Sequence, residues 1–159
     1  MDAKKEILFI VLVHVDDCSI VVLSQPLIDR FKIEIKKHVE ISDLDVLHWI
    51  LGIEVKRIQE ERKILLSQCL YIDSILRCYA LDDLKPISTP MDLNIGLTSA
   101  QSPTTSDNIA KMRHVPYHEA IGSLISLGTR PDITFAVQTH SRFLLNPGLA
   151  HWEAVKRVF

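Results

Sequence analysis

The stretch ILFIVLV (residues 7–13), HVDD (14–17) and CSIVVL (18–23) decides the fold. Runs of β-branched and other apolar residues favour buried strands, whereas aspartate is a poor strand residue and tolerates turns. The pattern therefore predicts an antiparallel hairpin with strands at about 8–13 and 18–22. Asp16 and Asp17 are expected at its tip, and a helix through 14–17 would contradict this prediction.

The two adjacent carboxylates at this tip, Asp16 and Asp17, point to metal chemistry. They repel each other, and a divalent cation such as Mg²⁺ offsets that repulsion. Two Mg²⁺ ions held by carboxylates are what nucleotidyl transfer requires. Spacing alone leaves a second interpretation open, in which the pair are turn acids that solvate a loop.

The rest of the chain predicts further strands and several helices. An amphipathic helix is expected from Pro26, with apolar positions recurring as far as Val39. A helix at 68–79 has Ser67 as its predicted N-cap, and two more are expected at 117–127 and 131–145. The remaining predictions are a strand pair at 47–55 and 63–66 with its turn at 59–61, an exposed connector at 85–115, and a last helix from 150. The fold class is α+β.

Composition limits the function classes. The 159 residues are 47% hydrophobic with a formal net charge of -2, so no overall basic field indicates nucleic acid. The three cysteines contain no Cys-x-x-Cys pair, and five scattered histidines (His48, His114, His118, His140 and His151) show no zinc spacing and are expected at the surface or as satisfied core residues. The run at 7–13 is far shorter than the roughly 20 residues that span a bilayer. We expect no membrane segment and an intracellular location, cytoplasmic or nuclear.

Six further motifs follow HVDD in order along the chain. They are ISDL leading to WILGIEV (41–44 and 49–55), LSQ with YI (66–68 and 71–72), KPISTPM (85–91), PYHEAIGSL (116–124), TRPDI (129–133) and HWEAVKR (151–157). Together these motifs resemble the reverse transcriptase region of copia-type LTR retrotransposon Pol polyproteins. The resemblance covers nearly the whole chain.

The resemblance implies roles for individual residues. Asp16 and Asp17 match the catalytic pair that binds Mg²⁺, two ions in the complete enzyme. His14 stands where the family usually has Tyr, close to the primer terminus. Trp49 and Gly52 match the primer grip, although a Trp among apolar neighbours is equally well explained as ordinary core. Asp45 stands where the family commonly has Gly, and an Asp there is tolerated but not preferred if the site needs a positive φ.

The resemblance also implies an architecture, namely a partial polymerase palm of antiparallel hairpins plus a helix, followed by a helical thumb and connection. The expected segments are the C-terminal part of the palm with both hairpins (1–66), the first thumb helix (67–84), the connector (85–115) and a helical thumb or connection segment that stops before RNase H (116–159). A further catalytic Asp and the dNTP-binding residues lie upstream in the family, so this fragment is expected to be inactive alone.

The expected partners are an RNA/DNA template-primer, dNTP and the missing upstream half of the polymerase. Self-association is expected through the apolar palm face that this half would cover, with Ile10, Leu12, Ile20 or Val22 partly exposed. Three lysines on the first helix, Lys32, Lys36 and Lys37, are candidate phosphate contacts, although a solvated face explains them as well. The alternatives to a polymerase fragment are a non-enzymatic nucleic-acid-binding or interaction module, and a transposon relic without a selected role.

Overall fold

The computed structural model describes residues 9–92 and 94–159, and the chain divides into two compact units. Unit 1 is Met1–Leu65, and unit 2 is Leu66–Phe159. The described residues form two small sheets, with strand orders β1-β2 and β3-β4-β5, and six α-helices. The α+β class predicted from the sequence is confirmed.

Unit 1 contains both sheets and one helix. Its elements are β1 (Phe9–His14), β2 (Asp17–Val22), α1 (Gln25–Ile35), β3 (Trp49–Ile50), β4 (Ile53–Ile58) and β5 (Lys63–Ser67), which runs into unit 2. The continuous strand predicted at 47–55 is wrong, because the chain reverses between β3 and β4. Leu51 and Gly52 take φ values of 50° and 77° there, which is the left-handed backbone of a two-residue hairpin turn.

The helix α1 packs on the hairpin and is shorter than predicted. Pro26 lies in its first turn, and the rings of Phe9 and Phe31 lie 5.3 Å apart between hairpin and helix. The helix ends at Ile35, where a final turn returns the N–H of Val39 to the Ile35 carbonyl at 3.0 Å. Val39 is exposed, so extending the apolar face to it was wrong.

Unit 2 is helical. Its elements are α2 (Cys69–Cys78), a 3₁₀ turn at Ser99–Gln101, α3 (Ser106–Met112), α4 (Tyr117–Ile125), α5 (Thr134–Ser141) and α6 (Leu149–Lys156). The helices predicted near 68, 117, 131 and 150 are confirmed with shorter bounds. The N-cap of α2 is Gln68 and not Ser67, whose hydroxyl accepts instead from the Cys69 N–H at 3.3 Å.

The segment 85–115 was predicted as an exposed connector and is more ordered than that. It contains the 3₁₀ turn and α3, and Pro103 and Met112 are buried. Thr105 caps α3 by accepting the N–H of Asn108. The Ser/Thr-rich composition hid this short helix, because seven residues are too few to display an apolar period.

The core of unit 2 is formed mainly by one face of α4. Tyr117, Ala120, Ile121 and Leu124 recur at three- and four-residue spacing and are all buried. Buried residues of α2, α5 and α6 meet this face, namely Ile75, Ala136, Val137 and Val155. Tyr71, Tyr79 and Trp152 are partly buried and pack against this core.

A buried amide joins the start of α2 to the loop after α4. The Gln68 side chain donates to the Ser126 carbonyl at 3.0 Å and accepts from the Thr129 N–H and hydroxyl at 3.1 and 3.0 Å. Three hydrogen bonds therefore converge on one side chain that is only 8% exposed. A buried amide satisfied in this way fixes the position of both segments.

Replacing Gln68 should destabilise unit 2. We expect Gln68→Ala to lower the free energy of unfolding by about 1–3 kcal/mol, because it removes three hydrogen bonds and leaves their partners unsatisfied. Urea denaturation followed by circular dichroism measures this. Gln138→Ala, at an exposed position of α5, is the control and should change the value by less than about 0.5 kcal/mol. Equal effects of the two substitutions would show that the Gln68 hydrogen bonds contribute nothing net.

Candidate active site

The hairpin that carries the aspartates has a two-residue turn. The strands pair in antiparallel register from Phe9 with Val22 to His14 with Asp17, which leaves Val15 and Asp16 as the turn. Asp16 lies in the turn and Asp17 begins β2, so the predicted hairpin and the position of its acids are confirmed. Of the predicted first strand, Leu8 lies outside the described residues.

Val15 adopts an unfavourable backbone conformation at the tip. Its φ is 53°, in the left-handed region that β-branched residues rarely occupy, and its side chain is exposed. No burial of this side chain offsets the strain. The backbone geometry of the tip therefore comes from the pairing of the flanking strands rather than from the preference of Val15.

The two carboxylates are exposed and share no third acid. Asp16 and Asp17 are both open to solvent, and His14 lies directly opposite Asp17 across the strands, on the same face of the hairpin. Over residues 9–92 and 94–159, no three His, Cys, Asp or Glu side chains group closely enough to hold a metal ion. Carboxylate oxygens are the ligands that Mg²⁺ prefers, so the pair fits part of a Mg²⁺ site.

The two faces of the hairpin have different surroundings. Ile10, Leu12 and Val21 share the face of His14 and Asp17 and are 41%, 56% and 49% exposed. Ile20 and Val22 lie on the opposite face, toward α1, and are half-buried. The sequence predicted an apolar patch among Ile10, Leu12, Ile20 and Val22. The structure places its open part at Ile10 and Leu12 and adds Val21.

The second hairpin carries the predicted primer-contact residues. Trp49 pairs with Glu54 across β3 and β4, and its side chain is 49% exposed, so it is not ordinary core in unit 1. Gly52 has a φ of 77°, and a Cβ built there would meet no atom of the described chain within 4 Å. Backbone conformation rather than crowding within the chain therefore accounts for the glycine.

The candidate phosphate-binding lysines differ in their surroundings. Lys32 forms an ion pair with Asp43 at 2.7 Å, and its hydrogen bond holds the pKa of that carboxyl below its usual range. Lys37 pairs with Glu34 at 2.7 Å on the surface, an interaction that solvent weakens. Lys36 is exposed. The three lysines do not form a common stripe of unpaired charge.

The loop after α1 contains the expected left-handed residue. Asp45 has a φ of 59°, and its N–H donates to the Asp43 carboxylate at 3.1 Å. The backbone at position 45 therefore does need a positive φ, which is the case in which the sequence analysis expected an Asp to be tolerated but not preferred. An Asp tolerates this conformation at some cost, and Gly adopts it freely.

Several residues of the later motifs are structural in unit 2. Arg157 donates to the carbonyl and hydroxyl of Thr89 at 3.1 and 2.7 Å, which ties the KPISTPM segment to α6. Arg130 forms a bidentate pair with Asp132. A cleft of about 750 Å³ lies among these segments, and Arg130, Lys156 and Arg157 line part of it.

The histidines largely follow the sequence analysis. His48, His114 and His118 are exposed, as expected. His151 is a buried residue with two hydrogen-bond partners. His140 departs from the expectation of a satisfied residue, because it is fully buried and neither ring nitrogen has a partner in the described residues. Nothing in the spacing of the histidines indicated this difference.

Comparison with known proteins places the chain in a family. Residues 2–93, more than half of the chain, match the family model described as reverse transcriptase (RNA-dependent DNA polymerase). This match contains both hairpins and ends just after the KPISTPM segment. The chain belongs to the reverse transcriptase family found in the Pol polyproteins of copia-type retrotransposons.

Individual relatives extend the similarity beyond the matched region. The retrovirus-related Pol polyprotein from transposon TNT 1-94 of Nicotiana tabacum is 42% identical over 149 residues, 92% of this chain and 11% of that protein. The corresponding polyprotein from transposon RE1 of Arabidopsis thaliana is 32% identical, over 92% of this chain and 10% of its own length. An uncharacterized mitochondrial protein of Arabidopsis thaliana is 31% identical, over 92% of this chain and 58% of its length.

The chain thus spans about a tenth of the two polyproteins and somewhat more than half of the mitochondrial protein. No solved structure matches the chain significantly. Among the described residues, no helix has the length and apolar character needed to cross a membrane.

The strain at Val15 leads to a prediction. Val15→Gly should stabilise the hairpin by about 1 kcal/mol, because Gly adopts the left-handed backbone freely. This relief of strain exceeds the opposing effect of the entropy that Gly gains in the unfolded chain. Amide exchange across β1 and β2, followed by NMR, should slow about fivefold. Val13→Gly places the same change in regular strand and should accelerate exchange. Acceleration by both substitutions would show that Val15 is not strained.

Proposed function

We propose that this chain is part of an RNA-directed DNA polymerase and contributes the Asp16–Asp17 pair to its catalytic centre. The observation that carries the proposal is the exposed pair at the tip of a two-residue hairpin turn, in a chain of the reverse transcriptase family. In this proposal 1–66 is the C-terminal part of the palm, 67–84 the first thumb helix, 85–115 a connector and 116–159 the helical thumb or connection.

Asp16 and Asp17 would hold Mg²⁺ in this assignment. When bound in the complete enzyme, two such ions would activate the primer 3′-hydroxyl and stabilise the leaving pyrophosphate. His14 lies across from Asp17 and would sit near the primer terminus, and the hairpin of Trp49 and Gly52 would contact the primer backbone. The half-exposed Trp49 ring supports this role, because an aromatic face open to solvent is available for stacking.

The exposure of unit 1 supports a role within a larger polymerase. No residue from 9 to 65 is buried, whereas the core of unit 2 has many buried side chains. Apolar strands without an interior bury too little surface to offset the entropy of ordering. We infer that the upstream half of the polymerase covers Ile10, Leu12 and Val21, and that without it this face promotes self-association.

Inactivity of the isolated chain is part of the proposal. Two carboxylates without substrate phosphates give an incomplete octahedral shell, so Mg²⁺ should bind only at millimolar concentrations or more weakly.

The three cysteines are unpaired in the structure, which suits the intracellular location, cytoplasmic or nuclear, that we propose. No observation favours the alternative of a non-enzymatic nucleic-acid-binding module. Such a module would be favoured by lysines free to contact phosphates, but Lys32 and Lys37 are paired with carboxylates.

Reconstitution tests the proposal. The chain alone should not extend a template-primer with dNTPs and Mg²⁺, whereas the chain combined with an upstream half from a copia-type polymerase should extend it. Asp16→Asn with Asp17→Asn should abolish the reconstituted activity and leave stability unchanged or slightly higher, because like-charge repulsion is removed. Primer extension on gels and urea denaturation measure the two effects.

A second pair of adjacent acids provides the matched control. Asp82 and Asp83 are exposed in unit 2, so Asp82→Asn with Asp83→Asn makes the same charge change and should leave extension intact. Extension by the isolated chain would contradict the inactive-fragment assignment. Full extension by the Asp16 and Asp17 double variant would contradict their catalytic role.

A further inference from the structure

Two buried histidines lie together in unit 2, on α5 and α6. His140 and His151 are both fully buried and are among the largest side chains with no exposure. Histidine at the centre of a core is unusual, because its polar nitrogens need partners once water is removed. His151 meets this requirement, whereas His140 does not.

The hydrogen bonds of His151 fix its protonation state. Its Nδ1 accepts the Gly148 N–H at 2.8 Å, and its Nε2 lies 3.2 Å from the Thr98 carbonyl oxygen. A carbonyl only accepts, so Nε2 carries the proton and the ring is neutral. The ring also stacks on Phe143, with centroids 4.1 Å apart and planes 17° from parallel. A second proton on Nδ1 would oppose the Gly148 N–H.

The backbone around His151 is closely packed. A Cβ at Gly148 would overlap the carbonyl oxygen of Gln101, so the start of α6 lies directly against the 3₁₀ turn. Gln101 in turn accepts the Thr98 N–H through its side chain at 2.9 Å. His151 therefore bridges two backbone segments, 98–102 and the first turn of α6, which contact each other at Gln101 and Gly148.

His140 has no hydrogen-bond partner to stabilise a charge. Neither ring nitrogen has one in the described residues, although its backbone carbonyl accepts the Tyr117 hydroxyl at 2.9 Å. Burial, and secondly His151, lower the pKa of His140 to about 4. Burial also lowers the pKa of His151, while its bond to Thr98 acts in the opposite direction.

Within the part of the chain that the structure describes, the groups around the pair offer no compensating negative charge. Burial raises the pKa of Tyr117 on α4 to about 12, so that hydroxyl stays neutral. Glu119 on α4 is exposed, and Glu153 on α6 is exposed and paired with Lys156 at 2.7 Å. The segment 98–102 has no ionisable side chain. An imidazolium at either histidine would be an uncompensated buried cation.

We propose that His140 and His151 form an acid-sensitive clasp that holds segment 98–102 against the first turn of α6. With both rings neutral, His151 joins Gly148 to Thr98 and the clasp is closed. Protonation of His151 at Nδ1 breaks the Gly148 bond, and protonation of His140 places a cation beside His151. Either event favours an open form in which the imidazolium reaches water.

The direction of the pH dependence follows from the lowered pKa values. A group that binds protons more weakly when buried stabilises the closed form above its ordinary pKa, and this stabilisation falls as pH decreases from about 6.5 to about 4. Between pH 7 and pH 4, titration of His140 alone raises the opening equilibrium constant about 100-fold. Above pH 7 the clasp is insensitive to pH.

Hydrogen exchange of the full chain between pH 7 and pH 4 tests the clasp. After correction for intrinsic exchange rates, protection of amides in 98–102 and 148–152 should fall by about 100-fold. Amides of α2 and α4 serve as the internal reference and should lose far less. Loss of protection to the same extent throughout unit 2 would show general acid unfolding and overturn the proposal, as would unchanged protection at pH 4.

Two substitutions separate the clasp from other titrations. His140→Phe keeps a ring but cannot be protonated. Between pH 7 and pH 4, its loss of protection in 98–102 and 148–152 should be at least tenfold smaller than the loss in the original chain. His118→Gln removes an exposed histidine of α4 and should keep the original pH response. The same loss in His140→Phe as in the original chain would overturn the proposal.

A direct measurement covers the case in which His140→Phe does not fold. Proton–nitrogen correlation spectra of the imidazoles in the original chain should show the His151 proton on Nε2 at pH 7. Both His140 and His151 should titrate below the ordinary histidine pKa of about 6.5. A His151 proton on Nδ1, or ordinary titration of His140, would overturn the proposal.

Discussion

The register of the β1–β2 hairpin is the constraint on which the rest of unit 1 depends. It places Phe9 and Val22 toward α1, and it places Ile10 and Val21 on the face shared with His14 and Asp17. A slip of one residue would exchange the two faces, because side chains alternate along a strand. It would also remove Asp16 from the turn. The packing of α1 and the position of the acids therefore follow from a single pairing.

The two units differ in how completely they bury their apolar side chains. Unit 2 encloses Tyr117, Ile121 and Val155 almost completely and satisfies the polar groups of Gln68 and His151 inside its core. Unit 1 leaves its apolar strand residues at least partly open. Under the proposed assignment this difference separates a self-contained module from one whose interior is completed by other parts of a polymerase.

Much of the fold was predictable because its signals are local. The first hairpin follows from two apolar runs with an acidic break, and the helices of unit 2 follow from apolar spacing and proline positions. The turn at Leu51 and Gly52 was missed because it interrupts a continuous apolar run, and only the positive φ of both residues reveals it. The short helix α3 was missed because its composition resembles a loop.

The candidate site was predictable only as a local pattern. The motif placed Asp16 and Asp17 at the hairpin tip, but the ion pair of Lys32 with Asp43 depends on a contact eleven residues away. The isolation of His140 similarly depends on packing between helices, which no spacing rule describes. Local sequence therefore predicted where the two acids lie along the backbone better than it predicted the partners of polar side chains.

The contact between Gly148 and Gln101 has a consequence for mutational tolerance. Loops generally accept substitution better than helices, because their side chains usually extend into solvent. Gly148 reverses this rule, since even the methyl group of alanine would collide with a carbonyl oxygen of the main chain. In a random mutation library of unit 2, this loop position should be among the least permissive, whereas the neighbouring Leu145, whose side chain is fully exposed, should accept most residues.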